Sequence, residues 1–256
     1  MIKVKKNVVP EIKPIRMGCD HPLSPHLNNT PLLALNNHTG CIWAVLGKPM
    51  SGKTTKVLEF LNSADIFKGV FENIFFIIPP NSRKSARKFF DKYDEELEDN
   101  CYDECNVQNL LDIERRIDES ANTTDVDENG KPCLYKSLLI VDDCQSVFKH
   151  ADIMTVLGRL VLNRRHTQTN LMLLCQNYIS MPTNIRSALS GIMIFKPSLR
   201  DWGGICREFI PRDFNEMVAV YKYCFGANHH LGDFLFYHFG SARMFRNFDE
   251  LLFNDD

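Results

Sequence analysis

Apolar residues recur along this chain as short continuous runs, at 41–46, 73–78, 137–141, 171–175 and 191–195. Uninterrupted runs of this length suit strands buried on both faces of a parallel sheet. Between the runs the apolar spacing turns helical. The pattern predicts helices from Lys53 to Leu61, over a basic stretch from Ser82 to Tyr93, from Val107 to Ile117 and from Asp152 to Asn163, with a short one from Asn184 to Leu189. Pro79 and Pro80 stop the second run, and a polar, mobile loop is expected at 122–131. Strands alternating with helices imply parallel pairing through right-handed crossovers. The expected fold class is therefore α/β, with a mainly parallel central sheet flanked by helices.

The rest of the chain divides around that core. Residues 1–40 hold five prolines and little periodicity and are expected to form an extended N-terminal arm. The core runs over 41–200, with an insertion at 91–130, and 201–256 extends the same domain. Within that extension a helix is expected from Asp213 to Cys224, followed by an aromatic segment around 235–239.

Composition adds little until charge is located. At 256 residues with 44% hydrophobic and 24% charged positions, the chain is an ordinary globular sequence long enough for one large domain. The net charge of −2 hides an asymmetry: 91–130 carries fifteen Asp or Glu against three Lys or Arg, a balance of −12 that leaves +10 for the remainder. A basic body is compatible with a polyanionic partner, while the acidic segment reads as a solvated loop. Nine cysteines occur without a C-x-x-C pair or zinc spacing, which reads as reduced core thiols. No apolar run approaches the roughly twenty residues that span a bilayer.

The chemistry is concentrated at the ends of the runs. Gly47, Lys48, Pro49, Met50, Ser51, Gly52, Lys53 and Thr54 spell G-x-x-x-x-G-K-[ST] directly after the first run. A strand, a glycine-rich turn and a helix N-terminus in that order form a phosphate loop, in which curled backbone amides and the positive helix end hold an anion. Triphosphate is the natural occupant, so ATP is the expected ligand. Lys53 is expected at the β- and γ-phosphates, Thr54 on a Mg²⁺ ion, and Thr55 completes the nucleotide-contacting set.

The third run ends in Asp142 and Asp143. In a parallel sheet that strand end lies beside the phosphate loop, where Asp142 can serve Mg²⁺ and Asp143 can orient the attacking water. Gln176 follows the fourth run at once and is expected to sense the γ-phosphate. Arg164 and Arg165 precede that run. Arg165 cannot easily reach its own nucleotide, so its expected role is as a finger entering a neighbouring subunit, with Arg164 as substitute. Arg186 is a further candidate for finger or nucleic-acid contact.

Gly47 to Thr54, Leu138 to Asp143, Arg165 with His166, and Leu171 to Gln176 followed by Met181, Pro182, Thr183, Asn184, Ile185 and Arg186 together resemble the genome-packaging ATPases of large double-stranded DNA viruses, the poxvirus-like branch of the FtsK–HerA superfamily. The resemblance covers about 41–200. It implies a ring-forming, ATP- and Mg²⁺-dependent motor that moves double-stranded DNA without sequence preference into capsids, with capsid or portal proteins as partners. It also implies action in the host cytoplasm, at virus factories, or in the virion. By the same likeness Lys53, Asp143, Gln176 and Arg165 are the catalytic set, and Thr54 and Asp142 the metal set. Two other readings stay open on the residues alone: a nucleoside or nucleotide kinase, and a nucleotide-dependent assembly scaffold.

Overall fold

A computed structural model describes residues 21–91, 97–126, 128–130 and 133–253. Each of the five apolar runs becomes a strand: β1 (Ile42–Leu46), β2 (Asn73–Ile77), β4 (Ser137–Asp142), β5 (Thr169–Cys175) and β6 (Gly191–Phe195), with a two-residue β3 (Cys101–Tyr102) on one edge. These six pair in parallel in the order β3-β2-β4-β5-β1-β6. Three more strands then continue the sheet antiparallel: β7 (Phe234–His238), β8 (Arg243–Arg246) and β9 (Asp249–Leu251). The mainly parallel α/β expectation holds.

Alternation explains why the central strands are apolar throughout. Ile42, Ala44 and Leu46 face one layer while Trp43 and Val45 face the other, and all five are buried. On the first face lie α5 (Val107–Ala121), α6 (Ala151–Asn163), α8 (Leu199–Phe209) and α9 (Phe214–Phe225). The second face is covered by α2 (Lys53–Asn62) and by the segment that precedes β1. A sheet with both faces covered needs no polar face, so periodicity of two vanishes from the sequence.

That preceding segment differs from the extended arm expected over 1–40. Residues 1–20 lie outside the described residues. From His21 onward the chain makes a 3-10 turn (Pro25–Asn29) and α1 (Pro31–Ala34), burying Leu23, Leu27, Leu32 and Leu33 in the second layer. Each leucine taken from water contributes about 1.5–3 kcal/mol. Polar bonds fix the seam: Trp43 Nε1 donates to Asn36 Oδ1 at 3.0 Å, and the Gly40 amide donates to Asn170 Oδ1 at 2.7 Å. Prolines here start short helical turns, because a residue with a preset φ and no donor fits a first helical position.

The single basic helix expected at 82–93 is two short ones, α3 (Pro80–Ser85) and α4 (Arg87–Phe90), with 92 and 93 outside the described residues. Ala86 leaves helical geometry at φ −101° and ψ 16°. The break turns Phe89 and Phe90 onto Phe76 of β2, with ring centroids 6.3 and 5.3 Å away. Aromatic burial outweighs the continuity of one helical turn. A short helix α7 (Thr183–Arg186) sits where the spacing predicts one. Helix α8 goes beyond the expected elements, since Gly203 and Gly204 interrupt its pattern, yet Ser198 caps its start by accepting the Asp201 amide at 3.1 Å. Of the cysteines in the described residues, Cys41, Cys105, Cys144, Cys175, Cys206 and Cys224 are buried and none is in a disulfide.

Candidate functional site

Strand order decides where the chemistry meets. β4, β5 and β1 are consecutive in the sheet, and Leu46 stands in register with Cys175 while Asp142 stands in register with Leu174. The three strands end together, so the turn after each delivers its side chains to one edge. The Gly47 amide donates to the Cys175 carbonyl at 3.1 Å, which anchors the start of the loop on β5.

The loop itself is shaped by backbone that few residues adopt. Met50 has φ 62° and Gly52 φ 93°. A Cβ at Gly52 would also come within 3.2 Å of Gly232 Cα, a tight approach. At Gly47 a Cβ would lie 2.6 Å from Ser51 Oγ and 2.8 Å from Phe195 Cβ. Gly47 is thus dictated by close approach, and Gly52 chiefly by its left-handed conformation. Ser51 Oγ is buried in this turn with no partner among the protein atoms. An orphaned hydroxyl within a cradle of amides at the start of α2 fits an anionic ligand.

Lys53 Nζ donates to the Gly47 carbonyl at 2.7 Å and the Lys48 carbonyl at 3.2 Å, which holds the ammonium at the mouth of the loop. Burial pulls its pKa below the ordinary lysine range, and Asp142 and Asp143 oppose that pull. Thr54 Oγ1 donates to Asp142 Oδ2 at 2.7 Å. Burial raises the Asp142 carboxyl above its usual range in spite of Thr54 and Lys53 nearby. A hydroxyl beside a carboxylate is an oxygen-donor pair of the kind that Mg²⁺ takes, keeping water and substrate oxygens for its other positions.

Asp143 follows with φ 51°, a left-handed conformation that Asp tolerates better than most residues. Its exposed carboxylate meets Gln176, whose Nε2 donates to Asp143 Oδ1 at 2.8 Å. Sequence reasoning missed the residue that fastens this pair. Gln145 Oε1 accepts the Gln176 backbone amide at 2.7 Å and the Ser180 hydroxyl at 3.3 Å, so the turns after β4 and β5 are bonded to one another. No periodicity or motif marks Gln145; its position two residues past the acidic pair is the only signal.

The structure thus brings together Gly47, Lys48, Pro49, Met50, Ser51, Gly52, Lys53, Thr54 and Thr55 as one loop and helix start, with Asp142, Asp143 and Gln176 beside it. It does not bring the arginines there. Arg164 donates to the Gly40 carbonyl at 2.7 Å and the Val161 carbonyl at 2.6 Å, a half-buried structural role. Arg165 is exposed at the opposite end of β5, about 20 Å from Gln176 at the rise of an extended strand. Arg186 pairs with Glu208 at 3.0 Å and stacks over Tyr178 at 5.4 Å.

The family model described as "Poxvirus A32 protein" matches residues 35–221. Among solved structures the chain is similar to B204, the DNA-packaging ATPase from Sulfolobus Turreted Icosahedral Virus, at TM-score 0.52 and 15% identity over 82% of this chain and 98% of that one. It is also similar to the genome packaging NTPase B204 from Sulfolobus turreted icosahedral virus 2 in complex with AMPPCP, at TM-score 0.50 and 14% identity, covering 83% of this chain and 99% of that one. The cytoplasmic domain of the Thermomonospora curvata type VII secretion ATPase EccC gives TM-score 0.51 and 13% identity over 83% of this chain and 24% of that one. At such identities these likenesses establish a shared fold. No curated protein sequence matches the chain.

Proposed function

The chain belongs to the poxvirus A32 protein family, and on that premise we propose that it is an ATP-hydrolysing motor that drives viral double-stranded DNA into capsids. One observation carries the reading: the continuous set from Lys53 through Thr54, Asp142 and Asp143 to Gln176 at the edge where a phosphate loop presents its amides. A loop that only bound nucleotide would not need a carboxylate and an amide aimed together beyond it.

In this reading the loop amides and Lys53 hold the triphosphate, while Thr54 and Asp142 hold Mg²⁺. The metal would supply charge neutralisation at the phosphate oxygens. Asp143 accepts a proton from the attacking water and Gln176 orients that water through its amide. Phosphoryl transfer rests mainly on positioning, so the fixed Asp143–Gln176 contact serves as much as the proton transfer does. Arg165 is the residue offered to a neighbouring copy, and its distance from its own nucleotide edge supports an action in trans. Duplex DNA without sequence preference, a homo-oligomeric ring, and capsid or portal proteins are the partners that this activity requires. Its setting would be the host cytoplasm or the assembling virion. Among the described residues no helix is long and apolar enough to cross a membrane.

Steady-state phosphate release with and without duplex DNA, across a salt series, tests the reading. The expected result is DNA-stimulated turnover that falls steeply as salt rises. Phosphorylation of an added nucleoside would establish a kinase instead, and ATP binding without turnover would establish a scaffold. Mixing Arg165→Ala protein with Lys53→Ala protein is expected to recover part of the turnover if rings form, since some interfaces then combine an intact loop with an intact arginine. No recovery at any ratio would remove Arg165 from the site.

A further inference from the structure

Beside the phosphate loop lies a cleft of about 850 Å³, larger than the triphosphate alone requires. One wall is α2, from Thr54 through Leu58 to Asn62; the other is the broken pair α3 and α4, which presents Lys84, Arg87 and Lys88. The cleft follows α2 for ten residues beyond Gly52, a length of about 15 Å at the helical rise. Lys53 and the loop line one end of it. Three cations line the remainder.

Their charge is available. Lys84, Arg87 and Lys88 are exposed, and among the described residues neither Lys84 nor Lys88 has a carboxylate partner. Arg87 pairs with Asp91 at 3.1 Å, but both side chains are largely exposed, at 79% and 57%, and a pair of that kind contributes little and is readily exchanged. The one acid in the cleft, Glu59, is already neutralised by Lys56 at 2.5 Å. Lys84 on α3 and Arg87 and Lys88 on α4 all line the same wall of the gap, opposite α2. The break at Ala86 orients them: it commits Phe89 and Phe90 to the core and leaves the basic side chains outward.

We propose that Lys84, Arg87 and Lys88 form a contact site for the sugar-phosphate backbone of nucleic acid, lying along α2 next to the nucleotide. Each strand of a duplex carries one phosphate per 3.4 Å of axis, so about four phosphates of one strand span the cleft. Placed there, a backbone bears on the same helix that starts at Lys53 and Thr54. DNA contact and nucleotide binding then share α2 as a common wall, and movement of either is felt by the other. The proposal rests on the packaging reading for its ligand.

The test is anisotropy of a fluorescent random-sequence duplex, titrated across a salt series with the wild-type protein and with the triple variant Lys84→Gln, Arg87→Gln, Lys88→Gln, whose circular dichroism is compared first. Removing two or three phosphate-binding cations is expected to make the log–log salt slope shallower by about 2 to 3 and to lower affinity at low salt by at least about tenfold. An unchanged slope overturns the proposal. A rise in the Kd for ATP with an unchanged slope also overturns it, by assigning the cations to the nucleotide. Failure of the wild-type protein to bind duplex at all would instead defeat the packaging reading, so the two failures are told apart. A single variant, Lys88→Arg, retains charge and is expected to keep the wild-type slope; a shallower slope there would mean that shape and not charge is being read, which also overturns the proposal.

Discussion

Lys53→Ala is expected to yield a folded protein in which ATP binding and turnover disappear together. The ammonium is held at the loop mouth by two backbone carbonyls, so little of the fold depends on it. Its binding contribution is large. A hydrogen bond to a charged group contributes about 1.5–3 kcal/mol, and removing two such bonds to phosphate at once corresponds to a fall of about 10²- to 10⁴-fold in affinity. Thermal unfolding gives the clearest reading. At a hundredfold excess over Kd, ATP stabilises a binding protein by about 2.7 kcal/mol, and the variant is expected to show none of that gain while keeping its nucleotide-free midpoint. A variant that is still stabilised by ATP would show that the loop amides suffice and that Lys53 is not the phosphate ligand.

Asp143→Asn separates binding from chemistry. The amide oxygen of Asn can still accept the Gln176 Nε2 bond made at 2.8 Å, and Asn adopts the left-handed conformation at φ 51° as readily as Asp. The turn should therefore stay in place. What disappears is the proton acceptor, a loss of about 10²- to 10⁴-fold in turnover for a general base. ATP affinity is expected to stay close to that of the wild-type protein. Single-turnover phosphate release, with protein in excess of bound nucleotide, measures the chemical step directly. Full turnover in this variant would move the base assignment away from Asp143.

The parts of this architecture that announce themselves in sequence are those set by local codes. Buried parallel strands read as unbroken apolar runs because both faces are covered, and the phosphate loop reads as a motif because its glycines answer to close approach by Ser51, Phe195 and Gly232. Elements set by remote partners are silent. Gly204 looks like a helix breaker, yet it is required inside α8 because a Cβ there would meet the Tyr178 ring hydroxyl at 2.2 Å. The antiparallel edge is visible only as an aromatic segment, since β8 and β9 are four and three residues long. Their tight turn depends on Asn247 at φ 54°. Leucines before residue 40 look like punctuation between prolines and prove to be core. Gln145 fastens two turns whose adjacency is a property of strand order, and strand order is not written in either turn.

Gly232, at φ 90°, sits with its backbone against Gly52 and closely precedes β7. The nucleotide loop is therefore braced from behind by a segment far along the polypeptide. A chain ending before Gly232 would lose both this contact and the antiparallel partner of β6, so the phosphate loop and the far edge of the sheet are tied to one stretch of sequence.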